Sequence, residues 1–345
     1  MDGKKLQKLR AKYAGAGAGD VHDAEFKKVV DILFSGDRRA KPYEGVASLL
    51  DAPLMLDAPK KRDFGGLDVA LIGVPMDLGV TNRAGSRLGP RAVRQIERIG
   101  PYHHTHRIVP AAQLKLADVG DVPFASRYSL EQSHVDIEAY YTRVADAGVV
   151  PLSVGGDHSI SLPILKALGR RRPVGMLHID AHCDTGGPFE GSKFHHGGPF
   201  REAVLAGVLD PERTIQIGIR GNAEYLWEFS FDSGMTVIHA EEFMSLGVAR
   251  TVKKAREVLG KGPVYVSFDV DSLDPAFAPG TGTPEIGGLS SREAIELIRG
   301  AAGLEIVGGD VVEVAPQYDA TTNTAHAGAQ MLFEILALVA LARGR

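Results

Sequence analysis

The chain is short of the features that staple, charge or anchor a protein. Its 345 residues include one cysteine and one tryptophan. A single cysteine closes no internal disulfide, so the thiol content does not point to an oxidising compartment. Neither sign of charge dominates: 39 Lys and Arg stand against 43 Asp and Glu, a formal net charge of −4. That balance excludes the basic footprint of a protein that binds nucleic acid or anionic membrane. Long apolar runs are missing too. The longest, residues 331–342, is interrupted by Glu334 and is too short to span a bilayer. The opening MDGKKLQKLRAKY has no apolar segment of the secretory kind, and a cytoplasmic protein is expected. With 44% hydrophobic and 24% charged residues the composition is that of an ordinary globular chain, which excludes disorder. Glycine is abundant, at 41 residues.

Residues 1–60 read as an N-terminal extension, with a Gly/Ala joint at 15–19 and a helix expected over 21–34. The joint is not a dinucleotide loop, because no strand precedes it and Asp20 replaces the third glycine. Residues 61–345 read as one α/β domain. Short β-rich runs at 69–74, 149–154, 174–180, 214–219, 236–239, 264–270 and 306–314 alternate with helical spacing at 89–99, 130–147, 163–168, 199–209, 248–259 and 291–301. Strands that are apolar on both faces and separated by helices predict a parallel sheet wrapped on both sides. A last helix over 324–342 ends almost wholly apolar and is expected to pack deep against the sheet or a neighbouring subunit.

Ligands of such sheets bind beyond the carboxyl ends of the strands. Three of those ends are rich in acids and histidines: Gly155-Gly156-Asp157-His158-Ser159, then Asp180-Ala181-His182-Cys183-Asp184, then Asp269-Val270-Asp271. Strand alternation would put Asp180, His182 and Asp184 on one face, with Ala181 and Cys183 on the other. Cys183 is then a small buried filler. Carboxylates converging without a cation would repel until one took up a proton. His158, Asp180, His182, Asp184, Asp269 and Asp271 are too many N and O ligands for one tetrahedral zinc. They suit Mn²⁺, with Ni²⁺ or Co²⁺ as alternatives, and shared carboxylates suit two ions. Each piece alone is weak: His158 would ordinarily be a loop histidine, and Asp269 a turn residue. Their joint occurrence at three strand ends carries the reading. His178 reads as a hydrogen-bonded core residue, and His103, His104 and His106 as a solvated loop.

The segments GGDHS, HIDAHCDT and SFDVDSLDPAFAPGTGTPE closely resemble the signatures of the ureohydrolase family of arginases and agmatinases. Ala84-Gly85-Ser86-Arg87-Leu88-Gly89-Pro90 and Val312-Glu313-Val314-Ala315-Pro316 extend the resemblance over about residues 65–340. It implies the three-layer α/β/α arginase-type fold with a mostly parallel eight-stranded sheet. It also implies one ion held by His158, Asp180, Asp184 and Asp269, and another held by Asp180, His182, Asp269 and Asp271. Asp184 would handle the proton of a bridging hydroxide, His196 would shuttle a proton, and Glu313 would pair with the substrate guanidinium. His195 stands beside His196 and competes for that role. The family's trimers and hexamers imply a homo-oligomer.

The His195-His196-Gly197-Gly198-Pro199 segment looks more like the agmatinase and guanidino-acid hydrolase branch than arginase. Residues 186–194 and 76–83 are expected to face the substrate tail. Glu190 would meet the amine of agmatine, whereas Lys193 or Arg83 would meet the carboxylate of 4-guanidinobutyrate or 3-guanidinopropionate. Free guanidine, a substituted guanidine or a biguanide are further candidates. Agmatine is slightly preferred. Two other readings are a dimetal phosphoesterase, which would want cations around the metals, and a non-catalytic partner subunit, which would be expected to have lost ligands.

Overall fold

The computed structural model of the chain describes residues 2–343 except 36, 37, 40, 42, 98 and 222. Its main sheet contains β1 (Val69–Val74), β2 (Leu116–Asp121), β3 (Val150–Gly155), β4 (Val174–Ile179), β5 (Leu209–Ile219), β6 (Thr236–His239), β7 (Pro263–Asp269) and β8 (Glu305–Val312). Their spatial order is β2-β1-β3-β8-β7-β4-β5-β6, and every neighbouring pair is parallel.

Helices cover both faces, which gives the expected three-layer α/β/α architecture. Alternate strand residues feed two cores. Leu71, Leu152, Leu177, Val266 and Phe268 pack with Val93, Leu259, Leu297 and the helix Asn323–Arg343. Ala70, Ile72, Met176 and Tyr265 pack on the other side with Ile137, Tyr141, Leu162 and Phe200. The central strands are buried along their whole length, which is why their sequences run apolar without alternation.

The expected strands all form, with ends shifted by a few residues. Strand β2 is an addition. Its sequence, LADVGD, hides it, because two of its six residues are acids. Asp118 is nonetheless fully buried: Arg94 donates to both its oxygens at 2.7 and 3.0 Å, and the Leu49 N–H donates at 2.9 Å. Arg94 also reaches Asp121 at 2.6 Å. The helix expected to run to residue 99 ends at Arg94. That expected over 199–209 ends at Leu205. The one expected from 248 is the second half of Ala240–Leu259, broken at Gly247, whose φ of +71° no β-substituted residue adopts easily.

One helix among the described residues, Asn323–Arg343, is long and apolar enough to cross a membrane. It is packed inside the domain instead, and its one acid explains how. Glu334 is 1% exposed and is bound by Arg299 through two 2.8 Å hydrogen bonds and by His103 Nε2 at 2.7 Å. His103 is therefore a buried partner, not part of a solvated loop as its sequence context suggested. Burial alone would raise the Glu334 carboxyl, but the His103 and Arg299 contacts outweigh it and hold the group at about 2. A carboxyl held low in the folded chain contributes stability that is complete above its ordinary value of 4.5 and is lost as pH falls towards 2. Glu334→Gln is expected to cost roughly 3 kcal/mol at pH 7. The deficit should shrink below pH 4.5 when melting temperatures of both proteins are compared. A deficit independent of pH would assign the loss to packing.

Candidate metal centre

Four central strands, β3, β8, β7 and β4, lie side by side, and each ends in a polar turn. After β3 the chain bends so tightly that a Cβ on Gly156 would stand 2.2 Å from the Met76 carbonyl oxygen. Asp157 secures the bend by accepting from the N–H groups of Ser159 at 2.9 Å and Gly79 at 2.8 Å. His158 follows, fully buried. After β7, the Asp269 side chain accepts from the Asp271 N–H at 2.8 Å and fixes the turn Val270–Ser272.

After β4 the outcome matches expectation, but the reason differs. The strand stops at Ile179, so strand alternation does not govern residues 180–184. A turn brings the acids together, with Asp180 accepting from the His182 N–H at 2.6 Å and Asp184 at a φ of +52°. Cys183 is buried against Ile219 and Val237, yet it also lines the cavity. Burial pushes its thiol up to about 12.

The six candidate ligands form two adjoining groups. His158 Nδ1 lies 3.0 Å from Asp180 Oδ2, 2.9 Å from Asp184 Oδ2 and 3.3 Å from Asp269 Oδ2. His182 Nδ1 lies 3.5 Å from Asp180 Oδ1 and 3.2 Å from Asp271 Oδ2. The two oxygens of Asp180 thus face both groups. Asp269 meets the His158 group through Oδ2, while its Oδ1 accepts from the backbone of Asp271 in the other group.

The electrostatics of the metal-free cluster are those of crowded acids. Burial and the charges of Asp271 and Asp180 push Asp269 well above the usual carboxylate range. Burial also raises Asp271, with Asp180 adding to the effect. Burial opposes charge on His158 and His182, but the surrounding carboxylates outweigh it and raise both rings well above the ordinary imidazole value. Mixed imidazole and carboxylate donors fit ions such as Mn²⁺.

His178 is also close, its Nε2 2.7 Å from Asp180 Oδ2. Its Nδ1 receives the Gln216 amide N–H at 3.0 Å, and the same amide nitrogen donates to the Cys183 carbonyl at 2.6 Å. The ring proton therefore sits on Nε2, so His178 orients Asp180 instead of coordinating beside it. Glu285 stands 3.7 Å from His182 Nε2 on the far side of that ring.

Glu313 follows β8 at a φ of +64° and is 1% exposed. Its Oε1 accepts from the His158 N–H at 2.9 Å and meets His196 Nδ1 at 2.8 Å, while its Oε2 is buried without a hydrogen-bond partner among the described residues. His196 Nε2 lies 2.7 Å from Thr81 Oγ1 and receives the Thr81 N–H at 3.2 Å. His195 is engaged elsewhere, 2.8 Å from the Gly187 carbonyl. Burial disfavours a charged His196, but Glu313 outweighs it and brings the ring up to about 9.

A cavity of about 560 Å³ is lined by Asp184, His196, Asp269 and Asp271 and, on one side, by Tyr225, Leu226 and Trp227. Glu190 and Lys193 do not line it. Their segment folds back through the Phe189–Ser192 pairing, which leaves both charges exposed. Arg83 is spent on the carbonyls of Gly282 at 3.1 Å and Thr281 at 2.9 Å, with its guanidinium over the Tyr318 ring. Arg220, which no sequence motif singled out, lines the cavity and donates to five carbonyls, including those of Asp271 and Glu285 at 2.7 Å.

These features have close counterparts among known proteins. The arginase family profile matches residues 67–338. The chain is 51% identical to the guanidinopropionase of Pseudomonas aeruginosa over 85% of its own length and 93% of that protein's. It is 46% identical to the mitochondrial agmatinase of Gallus gallus, over 87% of each chain. Among solved structures, proclavaminate amidino hydrolase from Streptomyces clavuligerus superposes with a TM-score of 0.80 at 36% identity, covering 88% of this chain and 100% of that one. The chain belongs to the arginase family. Within it, it falls on the agmatinase and guanidino-acid hydrolase branch and is an amidinohydrolase acting on guanidino compounds.

Because Asp180 faces both groups, Asp180→Ala is expected to abolish tight binding of both ions, whereas Asp271→Ala should weaken only one. Elemental analysis after dialysis against Mn²⁺ measures this directly. Two ions retained in Asp180→Ala would overturn the shared position.

Proposed function

We propose that the chain hydrolyses a linear guanidino compound to urea and an amine with two divalent cations, Mn²⁺ before Ni²⁺ or Co²⁺, and that agmatine is its preferred substrate. The observation that carries this reading is Glu313 Oε2, a buried carboxylate oxygen left without a donor. Such an atom costs about 1–3 kcal/mol unless something pairs with it. A guanidinium is the donor whose planar fork suits it.

Cations held by His158, Asp180, His182, Asp184, Asp269 and Asp271 would lower the pKa of water at the site and so supply the nucleophile. The chain's own groups do the rest. Glu313 holds the guanidinium in one orientation, which removes the entropic cost of aligning a poor electrophile. Asp184, buried beside His158, is placed to hold the proton of the attacking water. His196 carries the proton for the leaving amine. Its charged form depends on Glu313, so a cationic substrate that neutralises Glu313 also makes the His196 proton easier to release.

The preference for agmatine rests on charge. Among the described lining residues Arg220 is the only Lys or Arg; its two terminal nitrogens are taken up by carbonyls, and its Nε is buried out of reach of the cavity. Glu285 is a partly exposed carboxylate on the same wall. An amine tail finds an acceptor there, whereas a carboxylate tail finds no free cation. The second reading, 3-guanidinopropionate, is favoured by the 51% identity to guanidinopropionase against 46% to agmatinase.

Urea release measured across agmatine, 4-guanidinobutyrate, 3-guanidinopropionate and guanidine with Mn²⁺ or Ni²⁺ decides between them. Agmatine is expected to show the highest kcat/KM. A guanidino acid turned over faster would overturn the charge argument, and urea from none would sink the reaction. Glu313→Gln should lower kcat/KM by roughly 10²–10³ while both ions remain bound.

A further inference from the structure

Behind the His158 group lies an arrangement that substrate binding does not explain. Asp310, in the middle of β8, is fully buried. Three hydroxyls donate to it: Ser161 Oγ at 2.5 Å and Tyr265 OH at 2.6 Å to Oδ2, and Ser267 Oγ at 2.7 Å to Oδ1. A carboxylate this deep is costly, and three hydrogen bonds at its surface are what make it tolerable. Sheet register accounts for the meeting, because Asp310 pairs with Ser267 across β8 and β7.

Each hydroxyl has one proton, and Ser267 spends its proton on Asp310. Its oxygen is then an acceptor only. That oxygen lies 2.8 Å from His158 Nε2. Two acceptors cannot share so short a contact to advantage, so the His158 proton must sit on Nε2. With a cation in place of the second ring proton, His158 presents its lone pair on Nδ1, the atom 2.9–3.3 Å from oxygens of Asp184, Asp180 and Asp269.

We infer that Asp310, acting through Ser267, is a positioning residue that sets the tautomer of His158 and thereby the affinity of one of the two cation positions. The inference rests on the dimetal reading above. It assigns to the sheet interior a part of the metal site that carries no ligand. Removing Asp310 would free the Ser267 proton to donate to His158 Nε2, which would place the ring proton on Nδ1, where a cation should bind. Outer partners of this kind typically contribute 10–100-fold in metal affinity.

The test is Mn²⁺ titration of the full chain, with bound ions counted per chain. The wild type is expected to hold two. Ser267→Ala and Asp310→Ala should hold one at the Mn²⁺ concentration that saturates the wild type, the second binding roughly 10–100-fold more weakly. Ser161→Ala and Tyr265→Phe each remove one hydroxyl from Asp310 but leave the Ser267 contact, and both should hold two. Asp310→Asn, which still offers an oxygen to the Ser267 proton, should restore the second ion. Two tightly bound ions in Ser267→Ala would overturn the relay, as would equal metal loss in the two control variants. Ser267→Ala is the smaller change and decides the matter if Asp310→Ala does not fold, with melting in EDTA reporting folding independently of metal. A wild type that binds no Mn²⁺ would refute the dimetal reading itself, an outcome separate from failure of the relay.

Discussion

Like charge in a place with little water is the constraint on which the rest of the molecule depends. Asp180, Asp184, Asp269 and Asp271 are all buried, and imidazoles are the cations seen in contact with them. Acids in that setting must take up protons, find cations or separate. The fold prevents separation. Backbone N–H groups hold Asp180, Asp269 and Asp271, and left-handed backbone holds Asp184. Such local strain persists only where the surroundings over-determine it, and it clusters where a chain does chemistry.

The surroundings here are the strand order. His158 follows β3, Glu313 follows β8, Asp269 ends β7, and Asp180 follows β4. These strands are widely spaced in the chain but are consecutive in the sheet. Parallel pairing then puts all four carboxyl ends at one edge. The same register continues inward, where Asp310 and Ser267 meet beneath His158. Binding site and core are therefore one hydrogen-bonded structure. Gln216 and His178 stand behind Asp180 in the same way, and Arg220 stands behind Asp271.

Substrate choice is made at a different level. The guanidinium end of the site is built from rigid strand ends, whereas the walls that would meet a substrate tail come from connecting segments: residues 187–189, 223–227 and 283–285. A family can keep one reaction and change its substrate by altering such walls. That agrees with relatives named for agmatine, guanidinopropionate and guanidinobutyrate at similar identity to this chain.

By itself the sequence determined the layered α/β class, because buried parallel strands leave runs such as 174–179 apolar throughout. It also marked the acids and histidines at three strand ends, whose side chains have no bland reason to gather there. Strand β2 stayed hidden because its acids are neutralised by Arg94, 24 residues earlier than Asp118. Glu190 and Lys193 looked like tail contacts only because a sequence does not show which way a turn folds. The grouping of Asp180, His182 and Asp184 had the wrong explanation, since those residues lie past the strand whose alternation seemed to align them. Only the tertiary structure decided that Glu313 Oε2 is left unpaired, that His103 is buried on Glu334, and that Asp310 sits behind His158. Each of these is a meeting of residues remote in the chain, and a buried polar group takes its role from the partners that packing places within hydrogen-bonding reach.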